Sequence, residues 1–267
     1  MRVQPFSFLE QKDIVTPSAG FPLTTQAIHR YEEVYTNQFS STLITDLVTG
    51  NNNLGLFGGV SINSNQYLDI TGNTSSAGSA RNSYLQVTIN NSISGNRDAY
   101  SFIVLEEYQD NTVYTSGNNY FADFRSLSSW FASYMTDKDS LQDAGKFGGG
   151  DMFVYVPGQT LFTGTTSSSN FSDGTGNIGG GDDYYQWVGN NPRSRGATGF
   201  RRLWGFNIPA GNVFNTSTNG GTYKLFGSSN GQEGTNVKVW AHCLFDTHLT
   251  TTTFNQLITY YQGLGYL

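Results

Sequence analysis

Short stretches in which apolar and polar residues alternate, cut apart by clusters of Gly, Asn, Ser and Thr, leave this chain little choice but β-structure. In Ser83–Asn90, Tyr84, Gln86, Thr88 and Asn90 fall on one side of an extended chain, and Leu85, Val87 and Ile89 fall on the other. That period of two describes a sheet with one buried face and one more polar, partly aromatic face. Tyr67–Ile70, Tyr100–Glu106, Asp151–Val156, Thr222–Phe226 and Asn236–Phe245 read as further strands of ordinary length. The 32 glycines, many beside Asn, Ser or Thr, supply frequent turns rather than long helices.

Helical spacing is confined to a few stretches. Thr24–Tyr35 places Ala27, Ile28, Tyr31 and Val34 or Tyr35 on one face behind a Thr24 or Thr25 cap. Ser126–Met135 offers Leu127, Trp130, Phe131 and Tyr134, and Thr250–Gln262 offers Phe254, Leu257, Ile258 and Tyr261 with Gly263 as a stop. Such helices are too few and too short to cover a parallel sheet. The expectation is therefore an all-β antiparallel β-sandwich with a few short helices. Residues 1–35 read as an N-terminal extension, either lying on a neighbour or an ordinary tethered terminus, and 36–267 as the sandwich domain. Asn51–Ser61, Gly72–Asn82 and Thr163–Gly181 read as surface loops, the last a long polar excursion near 163–181.

Composition excludes several classes. With 37% hydrophobic and 13% charged residues the chain is neither a disordered tail nor a collagen-like fibre nor a coiled coil. A net charge of -6, without a basic run, argues against electrostatic nucleic-acid binding and against an anionic membrane surface. No apolar run is long enough for a spanning helix, so no membrane insertion is expected. The lone Cys243 forbids an intramolecular disulfide and reads as a buried thiol. Residues 1–20 carry Arg2, Glu10, Lys12 and Asp13 without a continuous apolar core, which is not the pattern of a leader peptide.

Chemistry is hard to assemble from these residues. None of His29, His242 and His248 sits in a recognisable nucleophile elbow. If Val239, Ala241 and Cys243 face inward on a strand, Trp240, His242 and Leu244 face the other way, so His242 and Cys243 do not form a pair. Glu106 and Glu107 are likewise adjacent and point to opposite faces, which makes them poor partners for glycoside hydrolysis. No catalytic residues are assigned and the chain is not expected to be an enzyme. Asp173, Asn177, Asp182 and Asp183 gather oxygen ligands that suit a hard cation such as Ca²⁺, against the alternative of solvent-facing turn acids. The Gly148–Gly150 and Gly179–Gly181 triplets lack the context of a phosphate loop and read as bends. Sequons at Asn73, Asn90, Asn170 and Asn215 read as accidents of composition. Tyr184, Tyr185 and Trp187, followed by Arg193, Arg195, Arg201 and Arg202, form the candidate ligand or interface surface, because flat aromatic rings bury area at modest entropic cost. Plain fold support is the competing reading.

The C-terminal stretch carries a resemblance. Tyr223–Gly227, the turn Ser228–Gly234, the strand Asn236–Phe245 and Asp246-Thr-His-Leu-Thr250 leading into Thr251–Tyr261 resemble the end of a laminin-G-like or concanavalin A-like lectin/glucanase domain. Leu249 stands for the leucine after the polar turn, and Phe254, Leu257 and Ile258 for the helix face. The resemblance implies two antiparallel sheets in jelly-roll order, with a concave face or loop rim for carbohydrate. The sequence lacks the carboxylate-rich calcium site and glucanase motif of that superfamily. Similar domains occur in phage and virus particles. The main expectation is a non-enzymatic structural or interaction protein of a virion, a capsid decoration or tail component assembled in a host cytoplasm, with other virion proteins and self-association as partners. The alternative is a carbohydrate-binding, lectin-like module with a glycan as partner.

Overall fold

The computed structural model describes residues 20–32, 43–63, 67–73, 82–89, 100–109, 119–123, 132–137, 140–144, 150–167, 170–172, 177–178, 199–208, 221–227 and 234–267. In chain order the elements are β1 (Ala27–Glu32), β2 (Leu43–Thr45), β3 (Asn52–Phe57), β4 (Gly59–Asn63), β5 (Tyr67–Thr71), β6 (Tyr84–Thr88), β7 (Tyr100–Tyr108), β8 (Asn119–Asp123), β9 (Ala132–Asp137), β10 (Ser140–Ala144), β11 (Gly150–Tyr155), β12 (Phe162–Ser167), β13 (Asn170–Ser172), β14 (Asn177–Ile178), β15 (Arg201–Ile208), β16 (Thr222–Leu225), β17 (Val237–Phe245) and α1 (Thr251–Gly263). The larger sheet runs β14-β13-β12-β11-β15-β7-β17-β5-β4, with β1 also paired to β17, and the smaller runs β10-β9-β8-β16-β6-β3-β2. The chain is thus an all-β, two-sheet antiparallel sandwich of jelly-roll-like build, and α1 is the one helix among the described residues.

The β7–β17 pair forms its spine, with Ser101 opposite Phe245 and Tyr108 opposite Val237. Both strands are buried along their length except at Glu107 and Lys238. Their inward side chains, Phe102, Val104, Val237, Val239 and Leu244, meet Leu85 and Val87 of β6 between the sheets. Their outward side chains, Ile103, Leu105, Ala241, Cys243 and Phe245, pack under Phe254, Leu257 and Tyr261 of α1. Burial on both faces makes this pair read as a nearly continuous apolar run, whereas β6 alternates between half-buried and buried residues.

Local chemistry fixes the helix. Thr250 Oγ1 accepts from Thr253 N at 3.1 Å and Thr253 Oγ1 accepts from Thr250 N at 2.8 Å, a reciprocal cap that satisfies two otherwise orphaned donors. Gly263, the expected stop, is the last helical residue, and the left-handed turn falls on Gly265 at φ 72°. The helix sits close because Gly205 carries no side chain. A Cβ there would lie 2.6 Å from the Phe254 ring and 2.9 Å from Leu249 Cδ1.

Several expectations are corrected. Thr24–Tyr35 was expected to be helical, but residues 22–26 form a turn and 27–32 the strand β1. Thr24 Oγ1 bonds Phe21 O at 2.7 Å instead of capping a helix, and β1 takes its order from pairing with β17. In Ser126–Met135 the described part lies in the strand β9, and 126–131 fall outside the described residues. Asn51–Ser61 is not a loop. It forms β3 and β4, and Gly58 at φ 66° turns the chain from one sheet to the other. Parts of the stretch expected to be a long polar loop, 163–181, form β12, β13 and β14. Strict alternation in β17 also fails, because its register on β7 shifts between Val239 and Ala241. The bulge leaves Val239 between the sheets while Ala241 and Cys243 face α1.

Alanine ordinarily suits a strand interior better than glycine by roughly 0.5–1 kcal/mol. Gly205→Ala is nevertheless expected to destabilise the protein by about 1–3 kcal/mol in denaturant unfolding, because the added methyl collides with Phe254 and Leu249. Unchanged or increased stability would contradict this seating of α1.

Candidate functional site

Most of the sequence-derived candidates lie outside the described residues: Tyr184, Tyr185, Trp187, Arg193, Arg195, Asp173, Asp182 and Asp183. Asn177 opens β14, where only the backbone is described. The two arginines that close the candidate surface are described, and both support the fold. Arg201 lies over the Trp240 ring at 4.4 Å and donates from Nη1 to Tyr266 O at 3.0 Å, pinning the chain after α1. Arg202 is fully buried with Nη1 3.2 Å from Glu106 Oε1, which also accepts from Trp204 Nε1 at 2.8 Å. Burial pulls the Arg202 guanidinium down, against the opposing pull of Glu106. Glu107 points the other way and pairs with Lys238 at 2.8 Å, so the two carboxylates diverge as alternation requires.

The histidines are structural in their surroundings. His29 Nδ1 donates to Asp46 Oδ2 at 2.7 Å, both side chains being wholly buried. Burial raises the Asp46 carboxyl, but the His29 bond and the backbone amides of Val48 and Arg30 outweigh it and hold the group below its ordinary range. Tyr31 stacks between His29 and His242, at 6.2 Å from each ring. His242 Nδ1 lies 2.8 Å from Ile103 O, so that nitrogen carries the proton and Nε2 accepts from Tyr223 OH at 2.6 Å. This neutral arrangement fits a pKa pushed down to about 3 by burial. Glu32 collects the hydroxyls of Tyr260 and Tyr261, each at 3.0 Å. Cys243 Sγ lies 3.7 Å from Tyr261 OH, and burial pushes its thiol up. Among the described residues no group of three or more His, Cys, Asp or Glu side chains could hold a metal ion. Asn73 is also spoken for, since both ends of its buried amide bond Ser83.

An arrangement suited to contact with a ligand lies on the outer face of the smaller sheet. Phe57 and Tyr84 are cross-strand partners whose rings stack at 4.9 Å with an interplanar angle of 9°. Glycines clear the space for them. A Cβ on Gly55 would meet Phe57 Cε2 at 2.9 Å, and one on Gly227 would meet Tyr84 Cβ at 2.6 Å. Lys224 Nζ lies 4.7 Å from the centre of the Tyr84 ring, a cation–π contact. Burial lowers the pKa of that ammonium and raises that of the Tyr84 hydroxyl. Phe57 is 39% exposed. Beside it Gln86 and Thr88 stand on the same side of β6, with Gln86 opposite Lys224 and Thr88 opposite Thr222. The result is a stacked aromatic step, exposed at Phe57 and bordered by an amide and an ammonium. Sequence alternation marked Tyr84, Gln86 and Thr88 as one polar face but missed Phe57, which lay in a stretch read as loop.

No family model matches the sequence, and no curated protein matches it. Among solved structures, the chain is similar to the binding domain of botulinum neurotoxin DC in complex with rat synaptotagmin II, at 11% identity over 91% of this chain and 52% of that one, with a TM-score of 0.49. It is also similar to the binding domain of botulinum neurotoxin serotype D, at 9% identity over 90% and 52%, with a TM-score of 0.45. A mutant of Trypanosoma rangeli sialidase displaying trans-sialidase activity matches at 8% identity over 92% and 34%, with a TM-score of 0.46. The chain spans about half the length of the toxin chains and about a third of the sialidase chain. The functional reading rests on the site itself.

The buried imidazole gives a pH prediction with a definite sign. His242 has a folded pKa below its ordinary value, so the unfolded chain binds the extra proton and stability is lost as pH falls from 6.5 toward 3. By pH 4 the loss from this group amounts to roughly 3 kcal/mol. Denaturant unfolding across this range should show the decline, and His242→Gln should flatten it. An equally steep decline in the variant would contradict the assignment.

Proposed function

We propose that this protein is a non-enzymatic carbohydrate-binding module whose contact surface is the Phe57–Tyr84 step on the outer face of the smaller sheet. The observation that carries the reading is a stacked aromatic pair whose Phe57 member is 39% exposed, beside the Gln86 amide and the Lys224 ammonium. A pyranose ring offers one face of C–H groups to an aromatic ring and a perimeter of hydroxyls to amides and hydroxyls. Gln86, on the same face two residues from Tyr84, supplies part of that perimeter. The rings are held in advance by Gly55, Gly227 and Lys224, so little side-chain freedom is lost on binding.

The virion role expected from the sequence has no observation behind it in the fold or the comparisons. The described residues contain no helix long and apolar enough to cross a membrane. The buried placement of Glu106, His29 and His242 supports contact rather than bond-making as the working mode.

A glycan array probed with the intact chain, Phe57→Ala and Tyr84→Ala tests the reading. Specific binding by the intact chain should weaken about tenfold or more in each variant, the effect of truncating a hot-spot ring. Phe57 is exposed, so its variant should keep the melting temperature. Absence of any specific glycan signal, or full retention in both variants, would refute the proposal.

A further inference from the structure

The outer side of α1 faces a cleft of about 590 Å³, closed on the other side by the segment that precedes β1. Gly20, Pro22, Leu23, Thr252, Asn255, Gln256, Thr259 and Tyr260 line it, and the volume is that of an ordinary small-molecule site. We propose that this cleft is a second saccharide site, independent of the aromatic step, which takes a neutral, hydroxyl-rich ligand of mono- to disaccharide size.

The chemistry of the lining selects that class. Thr252, Asn255, Gln256 and Thr259 recur at helical spacing on the exposed side of α1, opposite the buried Phe254, Leu257, Ile258 and Tyr261. The side-chain amides of Asn255 and Gln256 make no hydrogen bond among the described residues, so each presents a free donor beside a free acceptor, the pattern that matches neighbouring hydroxyls on a sugar. Pro22, Leu23 and the Tyr260 ring provide the apolar wall that C–H faces require. Among the described residues no ionic side chain lines the cleft. The nearby Arg30 is committed to Glu32 at 2.8 Å and to Tyr260 OH at 2.9 Å. A charged ligand would therefore lose water without gaining a counter-charge, and a purely apolar one would strand the amides.

The wall is also preformed. Phe21 packs edge-on against Tyr260 at 5.2 Å and stacks on Phe245 at 6.3 Å, while the Arg30 guanidinium lies 4.1 Å above its ring. Leu23 O accepts from Gln26 N and Ala27 N, each at 3.0 Å, and holds Leu23 at φ 63°, where non-glycine residues seldom sit. The cleft lies on the larger sheet's side of the molecule and the aromatic step on the smaller sheet. Two sites on opposite sides would let one chain bridge two glycans, which raises avidity without new contacts.

Titration of the full chain with maltose, lactose and cellobiose, followed by NMR at the Asn255 and Gln256 side-chain amides, tests the proposal. At least one sugar should give saturable shifts there in the wild type and in Phe57→Ala, and these should disappear from the α1 backbone amides in Asn255→Ala/Gln256→Ala. Both positions are exposed and alanine favours a helix, so the double variant should fold. The proposal is overturned if no sugar moves these signals, if the α1 shifts survive the double substitution, or if they vanish in Phe57→Ala. Loss of glycan-array binding in the Phe57 variant alone bears on the aromatic step, and loss of the α1 shifts in the double variant alone bears on this cleft.

Discussion

Everything else in the molecule is arranged around the β7–β17 pair. Its strands are dry on both faces, with the smaller sheet on one side and α1 on the other. A strand buried on both faces cannot slip by one residue without exchanging its two cores, so the pair fixes register for its neighbours β15 and β5. The same arrangement decides where a ligand can reach. α1 covers the central strands of the larger sheet, and on the smaller sheet Phe57 stays exposed beside the Gln86 amide.

Several polar groups inside this core are tied to specific partners. Glu106 sits among Arg202 and Trp204, His242 bridges Ile103 O and Tyr223 OH, and Glu32 collects two tyrosine hydroxyls beside Arg30. Removing one member of such a set strands the others, which makes these residues costly to change. A histidine held neutral by burial, and a carboxylate paired with a guanidinium, help to specify the packing of two sheets.

Alternation was enough to find several strands that bury one face or both, because the signal is local: Leu85, Val87 and Ile89 mark β6 without reference to anything else, whereas β15, buried along nearly all of Arg201–Ile208, was not read as a strand. The final helix was equally plain from Phe254, Leu257, Ile258 and Tyr261. What failed depended on distant partners. In β1, Arg30, Glu32 and His29 find Tyr260, Tyr261 and Asp46, and nothing within 24–35 announces them. The glycines of 51–61 looked like loop, yet Gly58 makes a corner between sheets and Gly55 makes room for a ring. For that reason half of the aromatic step, Tyr84, was visible as part of a polar sheet face, and Phe57 was not. The shift at Val239 and Ala241 was likewise invisible, since a bulge alters which face a residue takes without altering composition.

Hydroxyl-radical footprinting of the native protein tests most directly whether one sheet presents an open aromatic step while the other is closed. The account predicts ready oxidation of Phe57, at 39% exposure, and strong protection of Trp204 at 1% and Phe254 at 0%. Protection of Phe57 comparable to that of Trp204, or ready oxidation of Phe254, would contradict it.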